Sequence, residues 1–238
     1  MKRWIGYRVA GVLRRFMTDE NYRNAALVRM ASPRNLFQPD NFTLPDRYPH
    51  LFQLAATTIG DGPEKRILSF GCSTGEEVFA LRRYFPSATI VGIDINRHNV
   101  ALCERKMADG PDPAISFRTA DSAADEEAGA YDAIFCMAVF RHGALADEVR
   151  DRCDHLIRFQ DFERVTRELA RALKFGGLLF IEFSNFRFCD TESYSDFGTV
   201  KCARPQPTGD RCPIYDRHNE LVPGLTYGDV VFRKVGSH

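Results

Sequence analysis

A short apolar run followed by two glycines constrains the fold of this chain more than any other feature. Residues 66–77 read RILSFGCSTGEE, which predicts a buried strand, a tight turn at Gly71 and Gly75, and a helix that begins with two carboxylates. Glycines are needed where a chain leaves a parallel strand sharply and lets a ligand approach the bare backbone. The segment therefore predicts an α/β sheet whose first loop binds a nucleotide-like ligand.

The charges of this turn narrow the class of ligand. Glu76 and Glu77 lie at the helix N-terminus, where they would repel the pyrophosphate that free backbone amides otherwise bind. A dinucleotide fingerprint needs a third glycine at position 76, and a phosphate-binding P-loop needs a lysine that this segment lacks. A nucleoside with no phosphate and net positive character fits the turn, and S-adenosylmethionine, a sulfonium that carries an ammonium, meets that description.

Apolar runs and helical periodicities alternate from residue 65 onward. Units of this length predict a parallel sheet with helices on both faces. The predicted strands are 67–70, 89–94, 114–117, 131–139, 177–183 and a final edge strand at 230–235, and the predicted helices are 76–84, 96–107 and 162–173.

Residues 71–77 resemble motif I of class I S-adenosylmethionine-dependent methyltransferases, in the form found in chemotaxis-receptor (CheR-like) methyltransferases. Ser69 stands where these enzymes usually have an acidic residue. Residues 131–139 resemble their motif IV, and residues 167–181 resemble their helix–glycine–strand segment. The resemblance implies a Rossmann-like class I methyltransferase fold with a mostly parallel, seven-stranded sheet. It also implies S-adenosyl-L-methionine as cofactor and S-adenosyl-L-homocysteine as product.

The carboxyl ends of the strands hold the candidate cofactor ligands, because ligands of open α/β sheets bind there. Asp94 ends the second strand, about 20 residues after the glycine turn, where a carboxylate can accept from both ribose hydroxyls and also serve the helix that follows. By resemblance, Asp121 accepts a hydrogen bond from the adenine amino group. The cofactor-binding set that the resemblance implies is Gly71, Cys72, Ser73, Gly75, Glu76, Asp94, Ile95, Asp121, Ser122 and Met137.

The segment after the fourth strand faces the methyl group in the resembled family, and it holds two candidate catalytic residues. His142 is the candidate base, since an unperturbed histidine titrates near neutral pH, and a surface histidine in a loop is the alternative. Arg141 can instead hold a substrate carboxylate or phosphate through its planar guanidinium. A carboxylate acceptor would need no base.

These features predict an enzyme that transfers a methyl group to an O or N atom of a small molecule or a protein side chain. Residues 140–143 read FRHG where enzymes that methylate nucleic-acid bases carry Asp/Asn-Pro-Pro-Tyr/Phe, which argues against a base as substrate. Ala138 and Val139 stand where chemotaxis-receptor enzymes usually have an asparagine. Carboxyl O-methylation of a protein glutamate, as in the chemotaxis family, is one alternative. A cofactor-binding module without catalysis is another.

The chain ends differ in character from its centre. Residues 1–62 are predicted to form an N-terminal helical lid, and residues 63–238 the S-adenosylmethionine-binding domain, with 185–228 as a candidate small substrate-side appendage. A basic amphipathic helix over residues 4–16 can dock on the neighbouring domain or lie on an anionic membrane, and docking is the favoured interpretation. Proline-rich residues 32–50 predict an extended connection, of the kind that covers cofactor or substrate in such enzymes.

Five aromatic residues follow the fifth predicted strand and allow two interpretations. They line a pocket for a flat or apolar acceptor, or they form the core of the small appendage, which is favoured. The five are Phe183, Phe186, Phe188, Tyr194 and Phe197.

The composition limits partners and compartment. Lys plus Arg and Asp plus Glu both number 32, so the chain as a whole carries no polyanion-binding charge. The seven cysteines never occur as Cys-x-x-Cys, which is typical of a reduced, cytoplasmic protein. Cys189, Cys202 and Cys212 with His218 are spaced too irregularly to predict a zinc site, and no metal is expected.

Overall fold

A computed structural model describes most of the chain. The predicted contributions of Trp4, Ile5 and Val9 to an N-terminal helix lie outside the described residues. The described residues are 11–31, 34–39, 41, 43–202, 212–225 and 228–236.

Seven strands form one sheet in the order β3-β2-β1-β4-β5-β7-β6. Strands β1 to β5 pair in parallel, and β7 is antiparallel to both β5 and β6. The predicted class I methyltransferase fold, with its mostly parallel seven-stranded sheet, is confirmed. The strands are β1 (Arg66–Phe70), β2 (Thr89–Asp94), β3 (Ile115–Thr119), β4 (Tyr131–Met137), β5 (Leu173–Glu182), β6 (Phe197–Thr199) and β7 (Val231–Lys234).

Helices cover both faces of this sheet. Residues 11–18 are also helical, and two short 3-10 turns, Phe188–Asp190 and Glu192–Asp196, follow β5. The α-helices are α1 (Glu20–Ala31), α2 (Pro49–Ile59), α3 (Glu76–Tyr84), α4 (Arg97–Ala108), α5 (Gly143–Asp147) and α6 (Phe159–Ala172).

Each face of the sheet has its own apolar core. Phe162 and Leu169 of α6 are fully buried in one core, as the strong amphipathic pattern of that helix predicts. Phe52 of α2 and Leu81 of α3 are buried in the other core. Burying one such side chain contributes about 1.5–3 kcal/mol, so these helices are held mainly by their apolar faces.

Helix α2 corrects the prediction of an extended connection over 32–50. The described residues before Tyr48 in this stretch form no helix. Pro49 begins a helix, because a proline at the first helical position lacks only an N–H that would be unpaired anyway. Leu51 and Ala55 are fully buried against the sheet. The predicted lid over 1–62 therefore includes a helix that belongs to the core of the sheet domain.

The N-terminal helix does not dock through all of its predicted apolar stripe. Val12 and Leu13 are 55% and 61% exposed, so the docking interpretation is wrong for these two side chains. No helix within the described ranges is long and apolar enough to cross a membrane.

The aromatic residues after β5 mostly belong to the core. Phe186 and Phe188 are buried, and Phe186 packs on Phe162 of α6 with ring centroids 5.5 Å apart. Phe197 and Tyr194 pack on the same cluster. Four of the five residues thus lie in a core, but it is the core on one face of the main sheet and not that of a separate appendage. Phe183 packs at the edge of the other core and lies beside two arginines.

Candidate functional site

A cavity of about 380 Å³ opens at the carboxyl ends of the central strands. The turn after β1, the turn after β2 and the segment after β4 form one side of it, and residues of the 35–48 connection form the other. This is where the strand order reverses direction between β1 and β4, the usual ligand position in such sheets. Seven predicted site residues line the cavity: Gly71, Cys72, Ser73, Asp94, Ile95, Met137 and Arg141.

The β1–α3 turn requires glycine for a measurable reason. Gly71 has φ +74°, and a Cβ on it would lie 2.6 Å from Cγ2 of Val139, closer than any real contact. The amides of Gly71 and Cys72 both donate to the carbonyl of Ile93, at 2.8 and 2.9 Å, which fixes the turn to strand β2. The sharp turn predicted from the sequence is confirmed, and its backbone forms part of the cavity wall.

Asp94 holds the next turn together from a buried position. Its Oδ1 accepts from the Asn96 amide at 2.8 Å and from Nδ2 of Asn99 at 3.0 Å, and its Oδ2 accepts from the Ser73 amide at 2.8 Å. Burial raises the pKa of Asp94, and these hydrogen bonds offset that effect only in part. Because a carboxylate oxygen accepts about two hydrogen bonds, Oδ2 keeps one acceptor position for a ligand.

Glu77, not Glu76, faces the cavity. The Ser69 hydroxyl donates to Oε1 of Glu77 at 2.7 Å, and burial raises the pKa of Glu77 to about 7, although this hydrogen bond and Arg47 act in the opposite direction. Glu76 instead accepts from Thr74 and Lys106 on the side of α4. A carboxylate from helix α3 is thus hydrogen-bonded to Ser69, which stands where the resembled motif has an acidic residue.

Arg47 and Tyr48, which no sequence motif marks, line the wall of the cavity opposite the glycine turn. The guanidinium carbon of Arg47 lies 5.2 Å from the ring centroids of both Tyr48 and Phe183, and that of Arg141 lies 5.8 Å from Phe183. The sequence gives only a weak indication of these two residues. Arg47 and Tyr48 are two of several polar and aromatic residues in the proline-rich connection, and no local pattern shows which of these side chains point toward the cavity.

Five predicted residues do not line the cavity: Gly75, Glu76, Asp121, Ser122 and His142. His142 is buried and caps α5, since its Nδ1 accepts from the Ala144 amide at 3.3 Å and its own amide donates to Oδ1 of Asn185 at 2.8 Å. This burial contradicts the alternative of a surface histidine in a loop, and the role of His142 as a base stays a prediction. Within the described ranges, no group of three or more His, Cys, Asp or Glu side chains is arranged to hold a metal ion.

Residues 67–177 match a family model described as a methyltransferase domain. These residues form a methyltransferase domain. The matched range contains the glycine turn, Asp94 and Arg141, so part of the cavity wall belongs to that domain. The specific likeness to chemotaxis-receptor enzymes stays a prediction.

Similar proteins agree with this assignment over part of their length. Over 84 residues the chain is 33% identical to the O-antigen chain terminator bifunctional methyltransferase/kinase WbdD of Escherichia coli, a match that covers 34% of this chain and 12% of that protein. The chain thus spans about an eighth of this relative.

Among solved structures, the YcgJ protein of Bacillus subtilis has a TM-score of 0.42 at 20% identity, with 56% of this chain and 50% of that chain covered. The geranyl diphosphate C-methyltransferase of Streptomyces coelicolor has a TM-score of 0.39 at 18% identity, with 54% and 43% covered.

Proposed function

We propose that this protein is an S-adenosylmethionine-dependent methyltransferase that acts on an O or N atom of a small molecule or a protein side chain. The observation that carries the proposal is the pair of opposite charges, Glu77 and Arg47, on the walls of the cavity next to the glycine turn. The methyltransferase domain over 67–177 supports the same activity.

The two opposite charges match the amino-acid end of the cofactor. That end carries an ammonium and a carboxylate, so Glu77 would accept from the ammonium and the fork of Arg47 would bind the carboxylate. Arg47 is close enough to Glu77 to lower its pKa. A pyrophosphate would instead be repelled by Glu77, which disfavours a dinucleotide.

The turns after β1 and β2 match the nucleoside end of the cofactor. The remaining acceptor position of Asp94 Oδ2 faces the cavity and suits a ribose hydroxyl. The Ser73 hydroxyl is buried and has no hydrogen-bond partner among the described residues, and such an orphaned polar atom is satisfied when a polar ligand binds.

Catalysis in this site depends mainly on alignment. The cofactor supplies a methyl group on a sulfonium that is already a good leaving group, so holding the acceptor in line provides much of the acceleration. Met137 ends strand β4 at the cavity, and Ala138 follows it on the cavity wall. Ala138 has φ +60°, an unfavourable value for a residue with a Cβ, which is typical of backbone shaped for a site.

Calorimetric binding of two ligands tests the assignment. S-adenosylhomocysteine has the amino-acid end, and 5′-methylthioadenosine lacks it. Glu77→Gln should weaken binding of S-adenosylhomocysteine by about 10- to 100-fold, the value of a charge-assisted hydrogen bond, and leave methylthioadenosine unchanged.

Asp94→Asn should weaken both ligands, because both contain the ribose. The exposed Glu104→Gln on α4 is the matched control and should weaken neither. Absence of S-adenosylhomocysteine binding to the wild-type protein would overturn the proposed function, and equal losses of both ligands in Glu77→Gln would overturn the role given to Glu77.

A further inference from the structure

Two polar groups on the cavity wall have no role in the cofactor assignment. They are the hydroxyl of Tyr48, which precedes α2, and the guanidinium of Arg141, which follows β4. The two residues are 93 positions apart in the sequence, and only the fold brings them to one cavity.

The Tyr48 hydroxyl is built into the wall without a partner. Tyr48 is only 6% exposed, its ring packs on Phe52 and Phe183, and its hydroxyl is buried with no hydrogen-bond partner among the residues that the structure describes. Burial raises the pKa of Tyr48, so the phenol keeps its proton and can donate it in a hydrogen bond. A buried hydroxyl of this kind is destabilising until a ligand accepts from it.

Arg141 is a positive charge without a counter-ion in the described part of the chain. Its guanidinium lies 5.8 Å from the Phe183 ring centroid, an arrangement that holds its plane while leaving the N–H groups for a ligand. Phe183 has φ +51°, an uncommon backbone value that positions its ring at the end of β5.

The charge of Arg141 acts on the hydroxyl of Tyr48. Arg141 lies near enough to the Tyr48 hydroxyl to lower its pKa, against the larger effect of burial. Arg47, Glu77 and Glu182 also act on this hydroxyl; the first two are assigned to the cofactor, and Glu182 is not among the cavity-lining residues. Among the cavity-lining residues, this leaves one guanidinium and one neutral hydroxyl donor that the cofactor assignment does not use.

We propose that Arg141 and Tyr48 form an oxyanion subsite that binds a carboxylate or phosphate group of the methyl acceptor, so that the substrates of this enzyme are anions. The inference rests on the proposed function, because it takes Arg47 and Glu77 as occupied by the cofactor. An anion at this position also balances the positive charge of the sulfonium, which an acceptor with an ammonium group would increase.

Binding of simple anions to the protein saturated with S-adenosylhomocysteine tests the subsite. Sodium acetate and sodium phosphate are titrated separately at constant ionic strength, with chloride as the balancing anion, and binding is followed by calorimetry. We expect the wild-type complex to bind at least one of them more tightly than it binds chloride. Preference for acetate would identify a carboxylate, and preference for phosphate a phosphate group.

Three variants assign the anion to its residues. Arg141→Gln should weaken anion binding by about 10-fold or more, and Tyr48→Phe, which keeps the ring, by about 2- to 10-fold, the value of a neutral hydrogen bond. Arg150→Gln is the matched control, since Arg150 is an exposed arginine paired with Glu148, and it should bind anions like the wild type.

The outcomes separate this subsite from the cofactor site. If S-adenosylhomocysteine binds but neither anion does, or if Arg141→Gln binds anions normally, the subsite is refuted while the proposed function stands. If Arg141→Gln loses affinity for S-adenosylhomocysteine but not for methylthioadenosine, Arg141 binds the cofactor carboxylate and the subsite is likewise refuted. If S-adenosylhomocysteine does not bind to the wild type, both proposals fail.

Discussion

Cofactor affinity should fall steeply in mild acid, because the carboxylate assigned to the cofactor ammonium titrates near neutrality. Burial beside β1 raises the pKa of Glu77 to about 7. The ammonium binds only the ionised form, so the protonated fraction of the free protein must lose its proton before the ligand binds. Affinity is therefore present above pH 7 and lost as the pH falls through that value.

The size of the effect follows from the pKa. With one group of pKa about 7, the apparent dissociation constant is multiplied by 1 + 10^(pKa − pH), which gives about 1.3 at pH 7.5 and about 33 at pH 5.5. Binding of S-adenosylhomocysteine should thus weaken by about 25-fold between these two values of pH. This range lies below the pH at which the amino group of the ligand itself loses its proton.

Calorimetry at four or five values of pH between 5.5 and 7.5 measures the profile. Glu77→Gln removes the titrating group, so its profile should be nearly flat, and the part that remains reports Asp94 and any other group. Methylthioadenosine, which lacks the ammonium, should show the same flat profile with the wild-type protein. A wild-type affinity for S-adenosylhomocysteine that does not change across this range would refute the electrostatic reasoning for Glu77.

Three further changes have expected outcomes. Glu77→Gln should stabilise the ligand-free protein by up to about 3 kcal/mol at pH 8 and not at pH 5. The reason is that the pKa of Glu77 is raised in the folded protein, so its ionisation opposes folding as the pH rises from about 4.5 to 7. Thermal unfolding at both pH values measures the difference. Gly71→Ala should destabilise more than Gly176→Ala in urea unfolding, because both have positive φ but only the Gly71 methyl would meet Val139; equal losses would contradict the clash. Phe162→Ala should lower the free energy of unfolding by about 3–5 kcal/mol in the same assay, and a loss under 1 kcal/mol would contradict its place in the core.

The parts of the fold that were predicted from the sequence depend on local patterns. The apolar run before Gly71 and the alternation of strands and helices are properties of neighbouring residues, and they predicted the parallel sheet and the turn correctly. Asp94 was found for the same reason, since its place at the end of a strand is set by a run of six residues. Helix α2 was missed because three prolines in the preceding stretch, and Pro49 itself, outweighed the apolar pattern that follows Pro49.

The direction of single side chains was decided only by tertiary packing. Glu76 and Glu77 are neighbours at the start of one helix, and successive helical residues point about 100° apart, so the rotation of α3 against the sheet determines which carboxylate faces the cavity. His142 likewise follows β4 in the sequence, and only the packed structure shows that its ring caps α5.

The sequence by itself thus determined the scaffold and predicted a class of ligand, because hydrophobic periodicity and glycine turns are local. It did not determine which residues form the site. Arg47 and Tyr48 come from the connection before the sheet and Arg141 from the far side of β4, and they meet only because parallel strands place all their carboxyl ends at one edge. Which residues of distant segments share that edge is a property of the packed chain.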